Sequence, residues 1–151
     1  MEKGAAGLLA AGGFALLVDG WNVCLNHVAP QDLRRRRAVL DNALAAYAAR
    51  SGCRVIAVYD GRAGVVSPSL GAGLQSMFTG EQITADECIV ELVESGGLPA
   101  LPVVATSDGR LADRCRLAGA LVIEARELAL FLKIKPSPGP PSTAGYSERR
   151  V

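Results

Sequence analysis

Unbroken apolar runs alternate with amphipathic stretches along most of this chain, and that alternation leaves few folds open. Phe14 to Val18 is continuously apolar and ends in Asp19; Arg54 to Tyr59 and Leu101 to Ala105 repeat the pattern. Such runs fit strands buried on both faces of a parallel sheet rather than strands with one wet face. Gln31 to Arg50 reads as a helix with Leu33, Leu40, Leu44 and Tyr47 on one stripe, stopped by Ser51-Gly52. Leu74 to Phe78 is a short third strand, and Thr84 to Glu94 a helix with Ile89, Leu92 and Val93 inward, ended by Gly96-Gly97. A helix over Arg110 to Leu117, a fifth strand over Ala120 to Ile123 and a closing helix over Ala125 to Lys133 complete the series. The expected fold is α/β: a three-layer α/β/α sandwich around a mainly parallel sheet of about five strands.

The flanks and connections read differently. Met1 to Gly13 is taken as a loose leader: Gly4 to Val18 resembles a signal-peptide core behind Lys3, but no small-x-small cleavage site follows. The run is too short to span a bilayer, so the chain is expected to be soluble, without a membrane partner. Residues 14–135 form the expected domain, and 136–151, rich in Pro, Ser and Gly, a disordered tail. The segment holding Gly20 and Pro30 is expected to be a loop, and Gly61 to Gly73 a mobile one.

One domain of 151 residues can bury a core without disulfide or metal staples. Cys24, Cys53, Cys88 and Cys115 form no C-x-x-C pair, which argues against a dedicated zinc site and for buried thiols in a reducing, cytoplasmic compartment. A net charge of +1 leaves partner chemistry to the local charge distribution.

That distribution is most informative at the strand ends. Parallel sheets bind ligands beyond the carboxyl ends of their strands. The first strand ends in Asp19, the second in Asp60, and the fourth runs through Thr106-Ser107 into Asp108; Asp86 lies in the first turn of the helix after the third strand. Each has an ordinary explanation. Asp108 suits a helix cap, Asp86 a helix dipole and Asp60-Gly61 a turn, while Thr84-Ala85-Asp86-Glu87 fits a capping box. Together, four carboxylates at one edge repel one another unless cations lie between them, and oxygen-only clusters suit Mg²⁺ or Mn²⁺. Such ions serve phosphoryl chemistry. A single histidine, His27, read as a surface loop residue, excludes a two-histidine ribonuclease within one chain. No G-x-G-x-x-G follows the first strand, and no P-loop or G-x-S-x-G elbow occurs.

Three ordered motifs narrow the class: Leu17-Val18-Asp19-Gly20-Trp21-Asn22-Val23, Phe78-Thr79-Gly80-Glu81-Gln82-Ile83-Thr84-Ala85-Asp86-Glu87 and Val104-Ala105-Thr106-Ser107-Asp108. With Glu124-Ala125-Arg126-Glu127-Leu128 near the end, they resemble the YacP-like NYN domains of the PIN-like nuclease superfamily. The resemblance runs from about Phe14 to Lys133. It implies a metal-dependent endoribonuclease with Asp19, Asp86 and Asp108 in metal-binding positions and Asp60 as a further acid. It also implies that Asn22 orients Asp19 or a metal-bound water and that Ser107 hydrogen-bonds within the acidic cluster. Some members of the group are similar to ribosome-associated nucleases acting on translated messenger RNA, which makes the ribosome a candidate partner. Glu87 departs from the Thr-Ala-Asp-Asp often seen there.

RNA contacts are expected from Arg62 and Arg110, each placed just after an acid of the site, with Ser107 beside them. Trp21, next to Asp19, suits either stacking on a single-stranded base or closing the core. Arg34-Arg35-Arg36-Arg37 spans a helical turn, so its charges radiate; Arg37 is expected near the apolar stripe. Two other readings stand beside the nuclease: a non-catalytic RNA- or ribosome-binding module, and a phosphatase-like hydrolase with Asp19 as nucleophile, against which the missing D-x-D counts.

Overall fold

In the computed structural model, which describes residues 4–29, 32–61, 73–81 and 83–134, the alternation resolves into one sheet between two helical layers. The elements run α1 (Gly4–Ala11), β1 (Phe14–Asp19), α2 (Gly20–His27), α3 (Leu33–Ser51), β2 (Arg54–Tyr59), β3 (Leu74–Phe78), α4 (Ala85–Ser95), β4 (Leu101–Ala105), α5 (Gly109–Leu117), β5 (Leu121–Ile123) and α6 (Ala125–Phe131). All four strand pairings are parallel, in the order β3-β2-β1-β4-β5.

Period-2 geometry divides the core in two. Leu16, Val18, Val55, Ala57, Tyr59, Val103 and Ala105 face a layer built on Leu9, Val23, Leu40, Leu44, Tyr47 and Leu128, from α1, α2, α3 and α6. Leu17, Ile56, Val58 and Val104 face the opposite layer, Ile89, Val90 and Val93 of α4 with Leu111 and Cys115 of α5. Strands at the centre of such a sheet have no wet face, and β1 is buried along its whole length.

Three expectations change. Gly4–Ala11, expected as loose leader, is a helix whose Leu9 is 1% exposed. It lies against α6, and the Tyr47 hydroxyl of α3 donates to the Leu9 carbonyl at 2.7 Å. Gly20–His27, expected as loop, is helix α2, held by burial of Val23 and Cys24 against the sheet and α3. His27 accordingly stands in the last turn of a helix, half-buried, rather than on a surface loop. Leu33, expected on the buried stripe of α3, is half exposed, in a first turn whose Arg34 and Arg35 are exposed as well. Most of the expected mobile loop at 61–73, and the tail from 136, lie outside the described residues.

Candidate functional site

The chain winds outward in one direction through β1, β2 and β3, and then returns to the other side of β1 as β4 and β5. The reversal falls between β1 and β4, and ligand sites in open parallel sheets form at the carboxyl ends of such a pair. Asp19 ends β1 on one side; Thr106, Ser107 and Asp108 leave β4 on the other.

Asp19 is 8% exposed and occupies the N-cap position of α2, yet its side chain makes no capping bond. The Thr106 hydroxyl instead donates to its Oδ2 at 2.8 Å, across the switch point. Burial first, and then the neighbouring charges of Asp86, Asp108 and Asp60, push the Asp19 carboxyl up to about 6, against the lowering influence of the Thr106 bond. Asp86, in the first turn of α4, is raised as well, by burial and by Asp108 and Asp60, with Arg114 opposing. Asp19 therefore feels the charge of the other three sequence-derived acids, and Asp86 that of Asp108 and Asp60.

The surrounding bonds fix the loops that carry them. Asp108 caps α5, its Oδ1 accepting from Arg110 N–H at 2.9 Å and Leu111 N–H at 3.3 Å, while its own N–H donates to the Thr106 hydroxyl at 3.0 Å. Asn22 Oδ1 accepts the Ser107 N–H at 2.9 Å, clamping α2 to the loop between β4 and α5. The Thr106 hydroxyl thus serves the acidic cluster, while Ser107, at an exposed position, joins the site through its backbone N–H. Asp60, exposed after β2, receives a long 3.5 Å contact from Thr79. Its carbonyl accepts the Trp21 indole N–H at 2.9 Å. The Trp21 ring is packed edge-on against Tyr59 and Phe78, the arrangement of a lid over the core.

Thr84 caps α4 by accepting the Glu87 N–H at 3.1 Å. The Glu87 carboxylate does not complete the expected capping box; it takes two bonds from Arg114, at 3.0 and 3.2 Å. A cavity of about 260 Å³ beside the acids is lined by Thr84, Asp86, Glu87, Asp108, Arg110 and Arg114, joining negative and positive groups in one cleft. Arg37 is largely buried, close to Asp41 as well as over the Tyr59 and Phe78 rings, as its place near the apolar stripe leads one to expect. Arg62 lies outside the described residues. Thr106 and the Arg114–Glu87 pair escaped the sequence reading. The first had a signal, a hydroxyl directly after an apolar strand; the second depends on α4 and α5 lying side by side.

As a set of donors the acids suit a hard divalent cation, being all oxygen and mutually repulsive. Among the described residues, however, no three cysteine, histidine or carboxylate side chains are drawn close enough to hold an ion as they stand.

Fold and site together define a parallel α/β protein with an acidic centre at its topological switch point. More narrowly, the chain belongs to the YacP-like NYN domain family, whose model matches residues 16–137. Its fold is nuclease-like and RNA-related. It is similar to the crystal structure of Rae1 (YacP) from Bacillus subtilis, W164L mutant, with 33% identity, 80% of this chain and 75% of that chain covered, and a TM-score of 0.64. A second Rae1 (YacP) structure from Bacillus subtilis is 31% identical over 91% of this chain and 79% of that one, with a TM-score of 0.61. No curated protein sequence matches. Among the described residues no helix is long and apolar enough to cross a membrane.

Proposed function

We propose that this protein is a divalent-metal-dependent endoribonuclease that hydrolyses phosphodiester bonds of single-stranded RNA, with ribosome-bound message as one natural form of that substrate. The observation that carries the reading is Asp19: a buried carboxylate at the switch point, raised by burial and by three other acids. Asp19, Asp86 and Asp108 would hold Mg²⁺ or Mn²⁺, with Asp60 at the margin. Such ions supply a nucleophilic hydroxide and stabilise the leaving oxygen.

The remaining work falls to the chain itself. Thr106 holds Asp19 in place through one of its oxygens. Asn22 keeps the loop between β4 and α5 in register with α2, so Asp108 stays opposite Asp19. Arg110 and Arg114, along the polar cleft, offer positive charge to the RNA backbone. The Arg114–Glu87 pair is half exposed, and surface pairs of that kind are weak, so Arg114 can turn to a phosphate at little cost. Four unpaired cysteines support a cytoplasmic location.

The test is cleavage of a labelled single-stranded RNA with Mg²⁺ or Mn²⁺, comparing wild type with Asp108→Asn and Asp19→Asn. An asparagine side chain keeps an oxygen for the α5 cap, so Asp108→Asn separates charge from capping. We expect metal-dependent cutting by the wild type and at least a roughly 100-fold loss in each variant. Retained cleavage by Asp19→Asn would refute the mechanism. The dispersed carboxylates favour one second reading, an RNA-binding module without catalysis. It is preferred if neither RNA nor translating ribosomes are cut while RNA affinity survives EDTA.

A further inference from the structure

Asp41 is an acid that the sequence motifs do not mark and the acidic centre does not use. It is 2% exposed, in the middle of α3. The Tyr59 hydroxyl donates to its Oδ1 at 2.6 Å, the Ser76 hydroxyl to its Oδ2 at 2.8 Å, and Arg37 reaches Oδ2 at 3.4 Å. Buried charge is costly even when paired, and an apolar residue would fill the same space more cheaply. What the arrangement holds is the Tyr59 ring.

That ring stands between the two segments that present Asp19 and Asp60. Tyr59 directly precedes Asp60. On its other side it lies so close to Gly20, the residue after Asp19, that a Cβ there would fall 2.4 Å from Tyr59 Cε1. Trp21 meets the ring edge-on at 4.9 Å between centroids and hands its indole N–H to the Asp60 carbonyl. Phe78, at the end of β3, stacks on the ring at 5.3 Å, and the Arg37 guanidinium lies over both rings, 5.7 Å from Tyr59 and 5.2 Å from Phe78. Rotation or retreat of Tyr59 would therefore shift the start of α2 and the end of β2 relative to each other.

We propose that Asp41 is a positioning residue for the acidic site, acting through the Tyr59 ring to set how the Asp19-Gly20-Trp21 segment and Asp60 stand against each other. The kinetic part rests on the nuclease reading; the geometric part does not. Trp21 is the sole tryptophan of the chain, so its emission reports on this contact directly.

The experiment uses the full chain with Tyr59→Phe, Asp41→Asn and Asp41→Ala. Trp21 emission and acrylamide quenching are measured beside thermal unfolding and RNA-cleavage kinetics. Tyr59→Phe keeps the ring and loses only its anchor, so it is expected to unfold cooperatively while Trp21 emission moves to the red and quenches more readily. Its kcat should drop roughly tenfold with KM within about twofold, the pattern of misplaced catalytic groups. Asp41→Asn, which retains an acceptor for Tyr59, should lie between wild type and Asp41→Ala. A folded Tyr59→Phe protein with native Trp21 emission overturns the proposal, as does one with altered emission and unchanged kcat. If the wild type cuts no RNA, the nuclease reading fails by itself and the Trp21 signal alone decides whether Asp41 sets the geometry.

Discussion

Asp19 holds its position at some cost to the fold. Burial and three neighbouring acids raise its carboxyl to about 6, whereas an unfolded chain titrates it near 3.9. Native protein therefore binds this proton more tightly than unfolded protein. The fold is favoured below the unfolded value, and that advantage is lost as pH rises through the folded one, by something on the order of 3 kcal/mol. Melting in EDTA should show Tm falling between about pH 4 and 6.5 in the wild type and much less in Asp19→Asn, with the variant the more stable at neutral pH. Parallel pH profiles for the two proteins would contradict this account of Asp19. At this scale much was legible: Asp19, Asp60 and Asp108 stand where apolar runs stop, which is a local property. The role of Thr106 was not, because it donates to an acid 87 positions away across two strands that only the fold makes neighbours.

The two helices that the sequence hid explain themselves as elements. The α1 segment, GAAGLLAA, has apolar residues on every side and no periodic stripe, so by itself it reads as a leader; burial of Ala5 and Leu9 is what makes it structure. The α2 segment opens with glycine and carries two asparagines, which weigh against a helix taken alone. Short helices gain most of their stability from packing, and α2 gains it through Val23 and Cys24. By contrast, β2 and β4 have the bounds expected of them, since a long apolar run marks a doubly buried strand wherever it pairs. If α1 belongs to the core, Leu9→Ala should lower unfolding free energy by about 2–5 kcal/mol, measured by urea titration at constant slope. A change below about 0.5 kcal/mol would mean that α1 is dispensable.

For the whole molecule the decisive feature is the strand order. β1 lies at the centre, with β2 on one side and β4 on the other, and its carboxyl end is where the chain reverses direction. A cation held there by Asp19, Asp86 and Asp108 would bind the folded state alone, so Mg²⁺ or Mn²⁺ should raise the wild-type Tm in proportion to the logarithm of concentration, by an equivalent of about 2.7 kcal/mol at roughly a hundred times Kd. Asp19→Asn should show little of that rise; an equal rise in both proteins would place the ion elsewhere. The sequence by itself determined the strands, the helices α3 to α6, the doubly covered sheet and the acids at its strand ends, because apolar runs, helical stripes and chain breaks are written over a few neighbouring residues. Tertiary structure alone decided which strand ends meet, that Thr106 serves Asp19, and that Asp41 braces Tyr59. Those depend on crossover connections and on contacts between residues remote in sequence, which no local pattern encodes.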